Sequence, residues 1–134
     1  MHPSALSIVN DAYSAFGRGD LEGILALLDP AVVWRYNADP AAVPYAGEYR
    51  GREGVADFFG KLMSAVAFTD FMPEEFHEAG QTIAVIGRET ATVSATGKTF
   101  SGRWVHLFTV VDGLVTRWEE FNDSGSIAAA FQAG

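Results

Sequence analysis

The chain has 134 residues, 49% of them hydrophobic, with ten phenylalanines and no cysteine. That is enough apolar material for one ordinary domain with a real core, and it excludes disulfides, thiolate zinc sites and a cysteine nucleophile. Nine basic against 17 acidic side chains give a formal charge of -8, which argues against nucleic acid or an anionic membrane as partner, since both are held through Lys and Arg.

In chain order, Ser4 or Ser7 is placed to cap a first helix on which Leu6, Val9, Ala12, Tyr13 and Phe16 recur at helical spacing. Gly17-Arg18-Gly19-Asp20 stops it, and Asp20 caps a second helix whose inner stripe is Leu21, Ile24, Leu25 and Leu28. That helix ends before Asp29-Pro30, because the residue before proline avoids the helical region. Residues 32–36 read as a strand with Trp34 and Tyr36 on one face. The segment 37–51, rich in Pro, Ala and Gly, reads as a long loop of the kind that serves as a lid or binding loop, with Tyr45 and Tyr49 as entrance candidates. Residues 52–64 form a third helix with Val55, Phe58, Phe59 and Leu62 inward. Alternation then predicts strands over 71–78, 82–95, 98–111 and 114–122, and a tail helix over 124–131 capped by Asp123 or Ser124. With neither an apolar leader nor a run near the ~18 residues of a membrane span, a single soluble, cytoplasmic domain over 1–134 is expected.

The last hairpin, from Arg103 to Asp123, carries the chemistry. Strand alternation puts Trp104, His106 and Phe108 on one face and Val105, Leu107 and Thr109 on the other. Glu119 and Glu120 are adjacent, so one of them points inward, where an apolar enclosure raises a carboxyl pKa toward neutrality. A two-residue Asp112-Gly113 loop pairs Val111 with Leu114 and sets His106 opposite Glu119. A three-residue loop with Gly113 as a bulge pairs Val110 with Leu114, sets His106 opposite Trp118 and Trp104 opposite Glu120, and is preferred because it gathers Trp104, His106, Phe108, Trp118 and Glu120 on one wall.

The expected fold is α+β: a cone-shaped, bent antiparallel β-sheet with three N-terminal-half helices packed on its concave side. A wall of Trp34, Tyr36, Trp104, His106, Trp118 and Glu120 reads as a pocket rather than a filled core. Strand alternation divides His77, Glu74, Glu75 and Glu78 between the two faces, so a solvated acidic edge rather than a metal site is expected.

Leu27-Leu28-Asp29-Pro30, the Trp34 strand, the run Tyr49 to Val55 followed by Phe58-Phe59, and Asp112-Gly113 followed by Trp118 to Asp123 occur in an order that resembles the nuclear transport factor two superfamily. They look most like its SnoaL-like branch, which includes small polyketide cyclases and resembles limonene epoxide hydrolase and ketosteroid isomerase. The resemblance puts Glu120 where cyclases and epoxide hydrolases carry a catalytic Asp and His106 where a cyclase histidine sits, and it too favours the three-residue turn. It matches Arg88 to the arginine of the epoxide hydrolases' Asp-Arg-Asp group, with Thr90 in the place of the second acid, which leaves that proton relay incomplete. Trp34 and Tyr36 match positions that hold the nucleophilic water in the epoxide hydrolases.

The implied activity is cofactor-independent and metal-free acid/base chemistry (isomerisation, cyclisation or hydration) on a small hydrophobic carbonyl compound. Glu120 is the expected base, His106 the acid or electrophile and Arg88 the charge partner, with Trp34, Tyr36, Trp104, Trp118, Phe59 and Thr90 lining the substrate. The alternative is a ligand-binding or assembly module of the same fold that performs no chemistry. The opposite sheet face, with Arg103, Val105, Leu107, Thr109, Arg117, Glu119 and Phe121, is expected to bury against a second copy as a homodimer.

Overall fold

Two helix starts follow directly from polar residues placed before apolar repeats. In a computed structural model, which describes residues 2–133, Ser4 caps α1 (Ala5–Gly17) by accepting from the Ser7 amide at 3.1 Å. Asp20 caps α2 (Leu21–Leu25) from the Gly23 amide at 2.9 Å. The chain continues as β1 (Leu28–Tyr36), β2 (Gly47–Arg50), α3 (Gly51–Ala65), β3 (Val66–Ala79), β4 (Thr82–Val93), β5 (Thr99–Val111), β6 (Leu114–Asn122) and α4 (Ser124–Phe131).

Three boundaries differ from expectation. Leu28 opens β1 instead of closing α2, and Asp29-Pro30 lies inside the strand; β1 pairs with β6 at Leu28 and then only from Val33, so the imino nitrogen falls in a gap of the ladder. Gly47–Arg50 pairs antiparallel with β1 as a short edge strand within the expected loop. Val66 is already extended, at φ -138 and ψ 155, and pairs with Val93, so β3 starts there rather than at 71.

The six strands form one sheet in the order β2-β1-β6-β5-β4-β3. Every neighbouring pair is antiparallel except β1 and β6, which run parallel because all the intervening chain serves as their crossover. Alternation buries Ile83, Val85, Glu89, Ala91 and Val93 from β4, Trp104, His106 and Phe108 from β5, and Val115, Trp118 and Glu120 from β6. Ile8 and Val9 of α1, Ile24 of α2, and Val55, Phe58 and Leu62 of α3 are buried with them. Each such large apolar side chain contributes about 1.5–3 kcal/mol by leaving water. Gly87 is required on the inner face: a Cβ there would overlap the Trp104 indole and the Met72 carbonyl oxygen.

The register of the last hairpin corrects the preferred three-residue turn. Asp112 and Gly113 both take left-handed angles (φ 51 and 79), giving a two-residue loop whose twist matches the strands, and Val111 pairs with Leu114. The odd residue is instead Thr116, left over between Val110↔Val115 and Thr109↔Arg117. Beyond that bulge His106 faces Glu120 and Trp104 faces Asn122, in place of Trp118 and Glu120. The parity survives, so the set of inward side chains is the expected one.

On the outer face Val105, Leu107 and Thr109 are half-buried, while Arg103 and Arg117 pair with Glu75 and Glu119 at 3.3 and 3.0 Å. Phe121 and Met72 are 43% and 46% exposed there. Among the described residues no helix is long and apolar enough to cross a membrane.

Candidate active site

The inner wall of β5 and β6, roofed by α1 and α3, bounds a cavity of about 60 Å³. That is several times the ~10–15 Å³ that one water occupies on this measure. Its lining is mostly aromatic and aliphatic, the polar groups coming from Tyr13, Tyr36, Tyr45, Glu89, His106 and Glu120, with no Lys or Arg.

The polar groups form a chain. Tyr13 of α1 hydrogen-bonds His106 Nδ1 at 2.7 Å, and His106 Nε2 meets Glu120 Oε1 at 2.8 Å. Asn122, two residues along β6 and therefore on the same face, donates from Nδ2 to Glu120 Oε2 at 2.6 Å and to the Tyr36 hydroxyl at 2.9 Å. The imidazole is held flat by Trp104, stacked at 3.9 Å between centroids and 18° between planes, and by Tyr13 at 5.9 Å and 10°. With Glu120 ionised, Nε2 donates to the carboxylate and Nδ1 accepts from the Tyr13 hydroxyl, so both ring nitrogens are engaged.

Burial sets the protonation states. It pushes the Glu120 carboxyl up to about 8, with hydrogen bonds from Asn122 and Tyr36 acting the other way. Glu89 is also raised to about 8, first by burial and then by the charge of Glu120. Burial pushes the His106 imidazolium well below its ordinary value, so the ring is neutral, and it raises the phenols of Tyr13, Tyr36 and Tyr45. The site thus holds a carboxyl poised near physiological pH against a neutral imidazole, a state suited to taking a proton from carbon or from water.

A family model described as the SnoaL-like domain matches residues 9–118. The chain belongs to the SnoaL-like family. Two solved structures, NTF2-like proteins from Burkholderia xenovorans LB400 and Burkholderia thailandensis E264, are each 32% identical to this SnoaL-like chain, with TM-scores of 0.87 and 0.88. The first likeness covers 96% of this chain and 95% of the other, the second 97% and 98%. TerC, in a crystal structure with polyporic acid, is 26% identical over 95% of this chain and 97% of its own, with a TM-score of 0.85. No curated protein matches the chain.

In this SnoaL-like protein Glu120, His106, Trp34, Tyr36, Trp118 and Phe59 line the cavity. Trp104 does not line it; the indole lies between Phe71 and His106 and backs the imidazole. Arg88 and Thr90 lie on the other face of β4. Arg88 is exposed and ion-paired to Asp70 at 2.9 Å and Glu74 at 3.1 Å, and the Thr90 hydroxyl bonds Ser101 at 2.9 Å. The inward residue between them is Glu89, 6% exposed. Strand parity from Val85 and Val93 would have found it; the resemblance drew attention to its neighbours. Asn122 was likewise legible as the second residue after Glu120, and Tyr13, read as core, also lines the cavity.

Asp123 accepts from Ser126 and caps α4, away from the chain of polar groups. Tyr45, an entrance candidate from the sequence, is 1% exposed and forms a buried wall of the cavity. Among the described residues no cluster of His, Asp or Glu is arranged to hold a metal. His77 is exposed and meets only Glu75, at 3.3 Å.

Proposed function

We propose that this SnoaL-like protein is a proton-transfer enzyme acting without a resident cofactor on a small, largely apolar carbonyl compound. The step is enolisation leading to isomerisation or cyclisation, or the closely related addition of water. Glu120 takes the proton. His106, fixed between Tyr13 and Glu120, aims the carboxylate and spreads the charge it carries, a role that differs from the electrophile suggested by the sequence because no ring N–H is left for substrate.

The observation that carries this reading is the unbroken hydrogen-bonded chain from Tyr13 through His106, Glu120 and Asn122 to Tyr36, with the His106–Glu120 link buried, beside a largely apolar cavity. A structural pair alone would not need an open cavity beside it. TerC was co-crystallised with polyporic acid, which makes small organic molecules the first ligands to test on this chain. A second copy of the chain is proposed to cover the outer sheet face around Phe121.

The test is exchange of α-hydrogens of 2-tetralone into D2O, followed by NMR. Wild type is expected to accelerate exchange over buffer, and Glu120→Gln to lose about 10²–10⁴-fold of that rate. Equal rates in the two proteins would remove Glu120 from the role of base. A wild-type rate no faster than buffer across a panel of α-acidic ketones would leave ligand binding without chemistry.

A further inference from the structure

Glu89 is the buried ionisable group that this scheme leaves without work. It projects from β4 into the same cavity as Glu120, yet the two carboxyls have different surroundings. Glu120 accepts hydrogen bonds on both oxygens, from His106 and Asn122. Only burial and the Glu120 charge act on Glu89, and both favour the protonated form. Glu120 is therefore the group of the pair that ionises first, and Glu89 the one that keeps its proton.

The space next to Glu89 is open. Its partner across the ladder on β5 is Gly102, between buried Phe100 and Trp104, and a Cβ built on Gly102 would meet nothing within 4 Å. Its partner on β3 is Phe71, another wall of the cavity. An enolising carbonyl needs a donor for its oxygen: both nitrogens of His106 are engaged, the Tyr13 hydroxyl is bonded to His106, and the Tyr36 hydroxyl already accepts from Asn122, whereas only burial and a neighbouring charge act on Glu89. The indole Nε1 of Trp34, which also lines the cavity, is buried with no partner and is a second N–H open to an acceptor.

We propose that Glu89 is a second substrate-facing acid, the hydrogen-bond donor that holds the carbonyl oxygen, and that the cavity consequently takes uncharged carbonyl compounds and rejects carboxylates. The inference rests on the reading of Glu120 as base. In the step, Glu120 removes the α-proton, the C–H electron pair becomes the enol C=C, and the carbonyl π pair moves to oxygen, which takes the proton of Glu89. Return of a proton from Glu120 to carbon, with the O–H proton going back to Glu89, restores the Glu120 carboxylate and the Glu89 acid. Carboxylates are rejected because two acidic groups and no cation line the space.

The test compares wild type, Glu89→Gln and Glu89→Leu in 2-tetralone exchange against pH. Glutamine keeps an N–H donor that does not titrate, and leucine removes it. The groups facing Glu89 are Glu120, Tyr36, Tyr45 and His106; the phenols are raised and the imidazole stays neutral, so the two glutamates alone titrate between pH 6 and 10. Wild type is expected to show a bell near pH 8, since it needs ionised Glu120 with protonated Glu89. Glu89→Gln is expected to rise to a plateau at a rate within about tenfold of wild type, and Glu89→Leu to lose about 10²-fold in kcat. A descending limb that persists in Glu89→Gln, or full kcat in Glu89→Leu, overturns the proposal. Quenching of Trp34 and Trp118 fluorescence gives a readout independent of turnover. The ketone should bind wild type about tenfold or more tighter than tetralin-2-carboxylate, and Glu89→Leu should lose much of the ketone affinity. Equal affinities would overturn the role of Glu89 even with Glu120-dependent exchange intact. A ketone preference without any exchange would overturn the proton-transfer reading alone.

Discussion

Replacing Glu89 with glutamine should change how stability depends on pH far more than it changes stability at acid pH. A buried carboxyl with a raised pKa holds its proton more tightly in the folded chain than in the unfolded one. Its contribution therefore declines as pH rises from the unfolded value through the folded value, here from 4.5 to about 8. At ~1.4 kcal/mol per pH unit the full difference is roughly 5 kcal/mol, a large part of the ~5–15 kcal/mol that holds a domain of this kind together. Glu120 adds a second decline over the same window. Urea denaturation at pH 5, 7 and 9 measures the effect. Glu89→Gln should lie close to wild type at pH 5, where both side chains are neutral and nearly isosteric, and should be more stable by up to about 5 kcal/mol at pH 9. Curves that stay parallel from pH 5 to 9 would show that Glu89 titrates as an exposed acid and would refute the reasoning.

Two other outcomes follow from the packing. Gly87→Ala should destabilise the protein by about 1–3 kcal/mol or more, because the added methyl meets the Trp104 ring and a backbone oxygen that cannot yield; unchanged stability in thermal or urea unfolding would contradict the packing under His106. If a second copy covers the outer face, sedimentation equilibrium at micromolar concentration should show a dimer and Phe121→Asp a monomer, and a wild-type monomer would contradict the pairing.

How the chain announces its fold depends on which interactions are local. The caps at Ser4, Asp20 and Asp123 and the alternation of β4 to β6 are written in neighbouring residues, and they appear where the spacing predicts. The inward set around His106 and Glu120 was legible for the same reason. The position of the bulge was not, because a shift of one extra residue from Gly113 to Thr116 leaves parity unchanged and alters only which residues stand opposite. Strand β2 and the early start of β3 depend on partners far away in sequence, Val33 to Tyr36 and Val93, so local composition pointed to loop. Arg88 illustrates the opposite risk: a family likeness selected it, while the alternation Val85, Gly87, Glu89 pointed one residue away.

The central claim is that the carboxyl of Glu120 sits out of water beside a neutral imidazole. Carbon-13 NMR titration of labelled glutamate side chains, with Glu120→Gln to assign the resonance, reads this directly. A midpoint raised to about 8, with His106 remaining neutral throughout, is the expected result. A Glu120 midpoint near 4.5, with an imidazole that titrates near 6.5 like a solvated one, would contradict the account.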